Sequence, residues 1–187
     1  MDESALPAIY TVGYGSRSVD QLIALLKRNG VDCLVDVRTA PYSKYKPEFS
    51  KDALEAVITE CGLRYLFLGQ LLGGRPDDPT CYTDGKVDYD RVQNKAFYLG
   101  GIEQVLKERE RGTRMALMCS EGKPEECHRS KLIGATLVER RIPVVHLDEE
   151  GVPLTQEEVI SRLTGGQLGL FGEPAFTSRK RYGESDE

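Results

Sequence analysis

Residues 115–138, MALMCSEGKPEECHRSKLIGATLV, decide the fold. Met115, Ala116, Leu117 and Met118 form a short unbroken apolar run, the pattern of a strand buried on both faces of a parallel sheet. A polar turn follows, and Pro124 with Glu125 and Glu126 opens a helix. Proline suits a first helical turn, and acids there face the positive end of the helix dipole. Leu132, Ile133, Ala135, Leu137 and Val138 give that helix an apolar face.

The same strand–turn–helix unit recurs on both sides. Residues 8–13 (AIYTVG) read as a strand that runs into the turn Gly13-Tyr14-Gly15. Ser18 and Gln21 stand at capping-box spacing before Leu22, Ile23, Leu25 and Leu26, and Gly30 ends that helix. Residues 33–37 (CLVDV), 64–68 (RYLFL) and 143–147 (PVVHL) are further strands. Ser50 caps a helix carrying Leu54, Val57 and Ile58. Residues 87–110 read as helix broken at Gly100-Gly101, and residues 155–163 as a last short helix. Such alternation predicts an α/β fold, with a mostly parallel sheet of about five strands covered on both faces.

Two segments depart from this regularity. Residues 69–90 are too long for a simple connector. Everything after Gly165 is rich in glycine, serine and charge, which predicts one domain over residues 1–164 and a flexible tail over 165–187.

A chain of 187 residues has room for one such domain and little more. Hydrophobic residues are 40% of it, too many for a disordered chain. No stretch approaches the roughly 20 apolar residues that cross a bilayer, so no membrane association is expected. The opening MDESALPAIY has two acids and no basic run, unlike a secretory signal, and a cytoplasmic protein is the expectation. The net charge of −5 argues against a generally basic nucleic-acid-coating protein but leaves room for a local basic patch. Five cysteines in a reducing compartment do not suggest a disulfide framework, so each is core filler, metal ligand or nucleophile.

In an open parallel sheet the crevice beyond the carboxyl ends of the strands is the default binding site. The first strand sends Tyr14, Ser16 and Arg17 there, and the second sends Asp36 and Arg38. The third leads to the turn Leu72-Gly73-Gly74 and Arg75. The fourth leads to Cys119 and Glu121, followed by Cys127, His128 and Arg129. Cys119, directly after a strand and near a helix start, has the setting of a stabilised thiolate. Cys127 and His128 would join it as ligands for zinc or iron, one short of a closed structural site. Nucleophile or redox thiol, metal ligand and buried structural thiol all remain open for Cys119. Asp36 and Arg38 read equally as a strand-end ion pair or as site residues. Cys33 and Cys61 read as packing, Cys81 is undecided, and His146 reads as a satisfied core histidine.

Residues 38–51 interleave Arg38, Lys44, Lys46 and Lys51 with Tyr42, Tyr45 and Phe49 against the single acid Glu48. Such a loop either tracks a phosphate backbone while its rings stack on bases, or is simply solvated.

The blocks TVGYGSRS, VDVRTAPYSKYKPEF, LGG and LMCSEGKPEECHRS together resemble the family called domain of unknown function 488, from about residue 9 to 147. The resemblance implies a Rossmann-like or flavodoxin-like three-layer sandwich and no established reaction. The layout of LVDVR, a strand–cysteine–loop–helix and a V-x-H-L strand is similar to rhodanese sulfurtransferases. That implies Cys119 as a carrier of sulfane sulfur, although the glycine-arginine pattern of their loop is missing. Cys127-His128-Arg129 matches the active-site tripeptide of O6-alkylguanine-DNA alkyltransferases, with Glu126 in place of their proline. Gln167, Leu168, Gly169, Leu170 and Phe171 are similar to the pentapeptide with which bacterial repair and replication proteins bind the sliding clamp. Leu170 and Phe171 would otherwise fold back onto the domain.

The leading expectation is a bacterial, repair-associated protein of DNA transactions, tethered to the sliding clamp through Gln167, Leu168, Leu170 and Phe171. It would take a nucleic-acid or nucleotide ligand at a site where Cys119, Cys127, His128 and Asp36 do the chemistry. Arg17, Arg38, Tyr42, Lys44, Tyr45, Lys46, Arg75 and Arg129 would bind phosphate or bases. The alternatives are a sulfur-transfer or thiol-redox enzyme and a non-catalytic adaptor.

Overall fold

The computed structural model describes residues 6–166 and 176–182. Its first half runs β1 (Ile9–Gly13), α1 (Val19–Arg28), β2 (Cys33–Asp36), α2 (Lys51–Glu60), β3 (Arg64–Phe67) and α3 (Gly69–Leu72). A hairpin of β4 (Tyr82–Thr83) and β5 (Lys86–Val87) follows, then α4 (Tyr89–Gln93), α5 (Ala96–Glu110) and β6 (Met115–Cys119). The chain continues through α6 (Ala135–Glu139), β7 (Val144–Leu147), β8 (Pro153–Leu154) and α7 (Gln156–Thr164).

The main sheet has the order β3-β2-β6-β1-β7-β8 and is parallel except for β8. All five strands read from the sequence are present. The sixth, β8, is two residues long and begins with a proline, which an edge position tolerates. The central strand β6 is buried at every residue, as its apolar run requires.

Side chains alternate between two cores, one on each face of the sheet. Cys33, Val35, Met115 and Leu117 pack with Tyr98, Ile102 and Val105 of α5 and with Leu132 and Ile133. Leu34, Ala116 and Met118 pack with Leu22 and Leu26 of α1 and with Leu54 and Ile58 of α2. Each buried leucine or isoleucine stabilises by roughly 1.5–3 kcal/mol relative to exposure. The result is the three-layer α/β sandwich, with the helices on both faces bringing the strand ends into one crevice.

Local signals held where the backbone needed them. Ser18 and Gln21 form the capping box at α1, and Thr155 with Glu158 forms another at α7. Ser50 stands at the N-cap of α2, but its hydroxyl accepts from the Ser43 N–H at 3.2 Å instead of from its own helix. The Gly100-Gly101 pair does not break a helix. The break falls at Asn94 and Lys95, and Gly101 lies buried against Leu72 inside α5. The helix expected from Pro124 begins as a single 3-10 turn, Pro124–Glu126. It then widens into a π-helical turn, Arg129–Gly134, before α6.

The long segment after β3 is structured. Its hairpin turns at Asp84 and Gly85, both at positive φ (51° and 75°), the Asp-Gly pairing that a tight two-residue turn favours. Residues 176–182, within the span expected to be a flexible tail, lie along this hairpin. Ser178 N–H donates to Val87 O at 2.9 Å, Tyr182 N–H to Gly85 O at 2.7 Å, and Tyr89 N–H to Phe176 O at 3.1 Å. The pentapeptide at residues 167–171 lies outside the described residues. No helix among the described residues is long and apolar enough to cross a membrane.

Candidate functional site

The carboxyl ends of β1, β2 and β6 lie side by side, with Gly13 opposite Cys119 and Asp36 opposite Met118. Beyond them opens a cavity of about 240 Å³ whose wall includes Tyr14, Arg38, Arg75, Cys119, Cys127 and His128.

At its base, His128 Nδ1 lies 3.7 Å from the sulfur of Cys119 and 3.7 Å from that of Cys127. His128 Nε2 lies 3.2 Å from Val37 O, so the N–H of that nitrogen donates to the carbonyl and Nδ1 is left facing both sulfurs. The turn after α3 backs the ring. A Cβ at Gly74 would stand 2.8 Å from His128 Cγ and Nδ1, so this close approach requires glycine. The Arg129 backbone N–H donates to Cys127 Sγ at 3.5 Å.

The two thiols are driven apart. A hydrogen bond from Cys127 holds Cys119 well below the ordinary thiol range; burial opposes this, and the neighbouring His128 reinforces it. Burial pushes Cys127 well above that range, and its proximity to Cys119 adds to the rise. Cys119 is thus the readier of the two to give up its proton. The ligand atoms of Cys119, Cys127 and His128 all lie within 4.8 Å of one another, a buried group able to hold a metal ion.

The other predicted site residues divide. Asp36 is fully buried outside the cavity wall. Its oxygens accept from Arg38 Nε at 2.9 Å, Arg38 Nη2 at 2.6 Å and Tyr65 Oη at 2.6 Å. Arg38 faces the cavity but is spent on Asp36 and on Phe49 O at 2.8 Å. Arg17 donates to Gly13 O and Asp148 O, and the fully buried Arg129 donates to Thr11 Oγ1, Leu147 O and Gly122 O. Lys46 donates to Gly15 O and Arg17 O. These three cations brace carbonyls between strand ends, and none is in the cavity wall.

Tyr42 lies on the rim and is 74% exposed, whereas the exposed Lys44 and Tyr45 stand outside the wall. Arg75 reaches the cavity, its guanidinium 4.7 Å from the Tyr182 ring centroid. His146 is the core histidine expected, between Thr11 Oγ1 at 2.7 Å and Gln156 Oε1 at 2.6 Å.

The sequence reading missed Ser178, Arg179, Lys180 and Tyr182, which complete the wall from the C-terminal segment. Arg179 pairs with Glu126 at 2.7 Å and Glu121 at 3.4 Å, pinning that segment to the loop between Cys119 and Cys127. The available signal was the dense RKRY run at 179–182.

The chain belongs to the family described as domain of unknown function DUF488, whose model matches residues 18–136. No curated protein and no solved structure gives a significant match. The matched region holds Cys119, Cys127 and His128, and residues 176–182 lie beyond it.

Proposed function

We propose that this cavity is the active site of a cysteine-dependent group-transfer enzyme acting on a nucleotide or nucleic-acid ligand. The observation that carries the reading is the placement of both sulfurs 3.7 Å from one imidazole nitrogen whose partner nitrogen is tied to Val37 O. The Cys119 proton passes to His128 Nδ1. The Cys119 sulfur then bonds to an electrophilic carbon, and the leaving group departs with the bonding pair and takes the proton from Nδ1. Cys127 stays protonated and donates to the Cys119 sulfur before the attack. Arg75, Lys180, Tyr42 and Tyr182 give the wall the mix of cations and rings that suits a phosphate and a base. The clamp-like pentapeptide supports placing this activity in bacterial DNA metabolism, in the cytoplasm, at the sliding clamp.

One observation favours a second reading. An imidazole whose far nitrogen is held by a carbonyl, beside two sulfurs, is also how a zinc or iron ion is presented with its ligands. Cys119, Cys127 and His128 would hold the ion, which would supply Lewis acidity at the open position.

Protection of Cys119 tests the leading reading. Iodoacetamide labelling of Cys119 should slow when 5′-phosphorylated single-stranded DNA or AMP fills the cavity. Unchanged labelling at saturating concentrations of both would contradict it.

A further inference from the structure

We infer that residues 176–182 form a strap that makes the cavity select a phosphate-bearing substrate, with Lys180 and Arg75 holding the anion. The inference deepens the nucleotide reading above and rests on it.

The strap is built into the domain. Its backbone extends the hairpin through Ser178 and Tyr182, Thr177 bridges Asp88, and the Ser178 hydroxyl accepts from Val87 N–H at 3.0 Å. Lys131, itself 6% exposed, donates from Nζ to Thr177 O at 3.4 Å. Ser178 is 4% exposed, so this stretch is packed and not merely adjacent.

Its charges decide the sign of the cavity. With the strap, the wall carries Arg38, Arg75, Arg179 and Lys180 against Glu121 and Glu126. Arg38 is neutralised by Asp36. Without the strap, Glu121 and Glu126 would stand beside Cys119 opposed by Arg75 alone, a setting that repels anions. Arg179 lies against both carboxylates and offsets them, which leaves its neighbour to act on a ligand. Lys180 lines the cavity and is exposed; its carbonyl accepts from the Ser178 hydroxyl at 2.7 Å, while its ammonium makes no hydrogen bond or ion pair among the described residues. Arg75 lines the same cavity with its guanidinium over the Tyr182 ring, and a lysine point charge beside an arginine suits a phosphate.

The test uses the full chain, Lys180→Gln, and Arg179→Gln combined with Lys180→Gln. Alkylation of Cys119 is timed with anionic iodoacetate and neutral iodoacetamide. The Cys119 sulfur bonds to the methylene carbon and iodide leaves in both cases, so the ratio of rates reports charge alone. The ratio should fall roughly threefold in the single variant and roughly tenfold in the double variant, since any change in how readily Cys119 ionises alters both rates alike. An unchanged ratio, or equal acceleration by both reagents, would overturn the inference by reducing the strap to a cover.

Inorganic pyrophosphate binding, followed by calorimetry, separates the two claims. If neither reagent labels Cys119, the thiol reading fails, and the strap is judged on pyrophosphate alone. At least a roughly fivefold weakening in Lys180→Gln supports it, whereas no binding to the full chain, or equal binding by the variant, overturns it. Lys180 is exposed and its ammonium unpaired among the described residues, so this variant does not depend on the double variant folding.

Discussion

His128 donates its Nε2–H to the carbonyl oxygen of Val37 at 3.2 Å, and this one bond aims Nδ1 at both cavity thiols. The carbonyl belongs to the residue after β2, while the imidazole follows the turn after β6, so two neighbouring strands set the ring. Removing the imidazole in His128→Asn should slow alkylation of Cys119 at neutral pH by roughly 100-fold, the usual scale of a lost general base. Stopped labelling with mass-spectrometric readout measures it, and a rate within a few-fold of the parent would remove His128 from the mechanism.

Gly74 tests the same ring from behind. In Gly74→Ala the new methyl would stand 2.8 Å from the imidazole, so the ring or the turn must shift. Overpacking of this kind costs about 1–3 kcal/mol. Urea unfolding should show that loss, and the Cys119 labelling rate should fall with it. A variant of parental stability and rate would mean that the ring has room the structure does not give it.

His146 makes stability depend on pH. Burial, with Arg129 nearby, pushes its pKa down to about 4 from the ordinary 6.5. The unfolded chain therefore binds a proton that the folded chain refuses between those two values. Stability is fully present above pH 6.5 and is lost as pH falls toward 4. The loss between pH 7 and 4.5 should be about 2–3 kcal/mol from this residue. Urea titrations at both pH values measure it, and His146→Gln should flatten the dependence. An equal slope in the variant would assign the loss elsewhere.

Much of the fold was legible because the deciding signals are local. A buried parallel strand has to be an apolar run, and CLVDV and MALM are such runs. Cys119, Cys127 and His128 were legible as a group because eight residues and one turn separate them. The roles of Arg17, Lys46 and Arg129 were not, because nothing local distinguishes an arginine that binds phosphate from one that braces Leu147 O or Asp148 O. The strand β8, two residues long, is too short to carry a period. Residues 176–182 were read as tail because their partners, Val87 and Gly85, lie some ninety residues earlier in the chain. Composition cannot report a contact of that span.

The Asp36–Arg38 pair should behave as structure. Asp36→Asn leaves a buried guanidinium without its counter-charge, a change that costs about 3–5 kcal/mol. Thermal unfolding checks this, and a variant as stable as the parent would contradict the assignment of Asp36 to the framework.

The clamp proposal stands on Leu168, Leu170 and Phe171 as apolar anchors and Gln167 as polar register. A peptide of residues 164–174 should bind purified bacterial clamp with a Kd near ~1 μM. Leu170→Ala with Phe171→Ala should abolish binding, and Gly169→Ser should leave it. No heat of binding from the parent peptide at high micromolar concentration would withdraw the clamp.

The central claim is that Cys119 is the reactive atom of the site, and mapping iodoacetamide labelling of all five cysteines across pH tests it most directly. Metal content is measured on the same sample, and a chelator-treated portion is run in parallel. Cys119 should label first and at a pH well below ordinary thiol titration, either as purified or once a bound ion is removed. Preferential labelling of the half-buried Cys61, with Cys119 inert in a metal-free sample, would contradict the account.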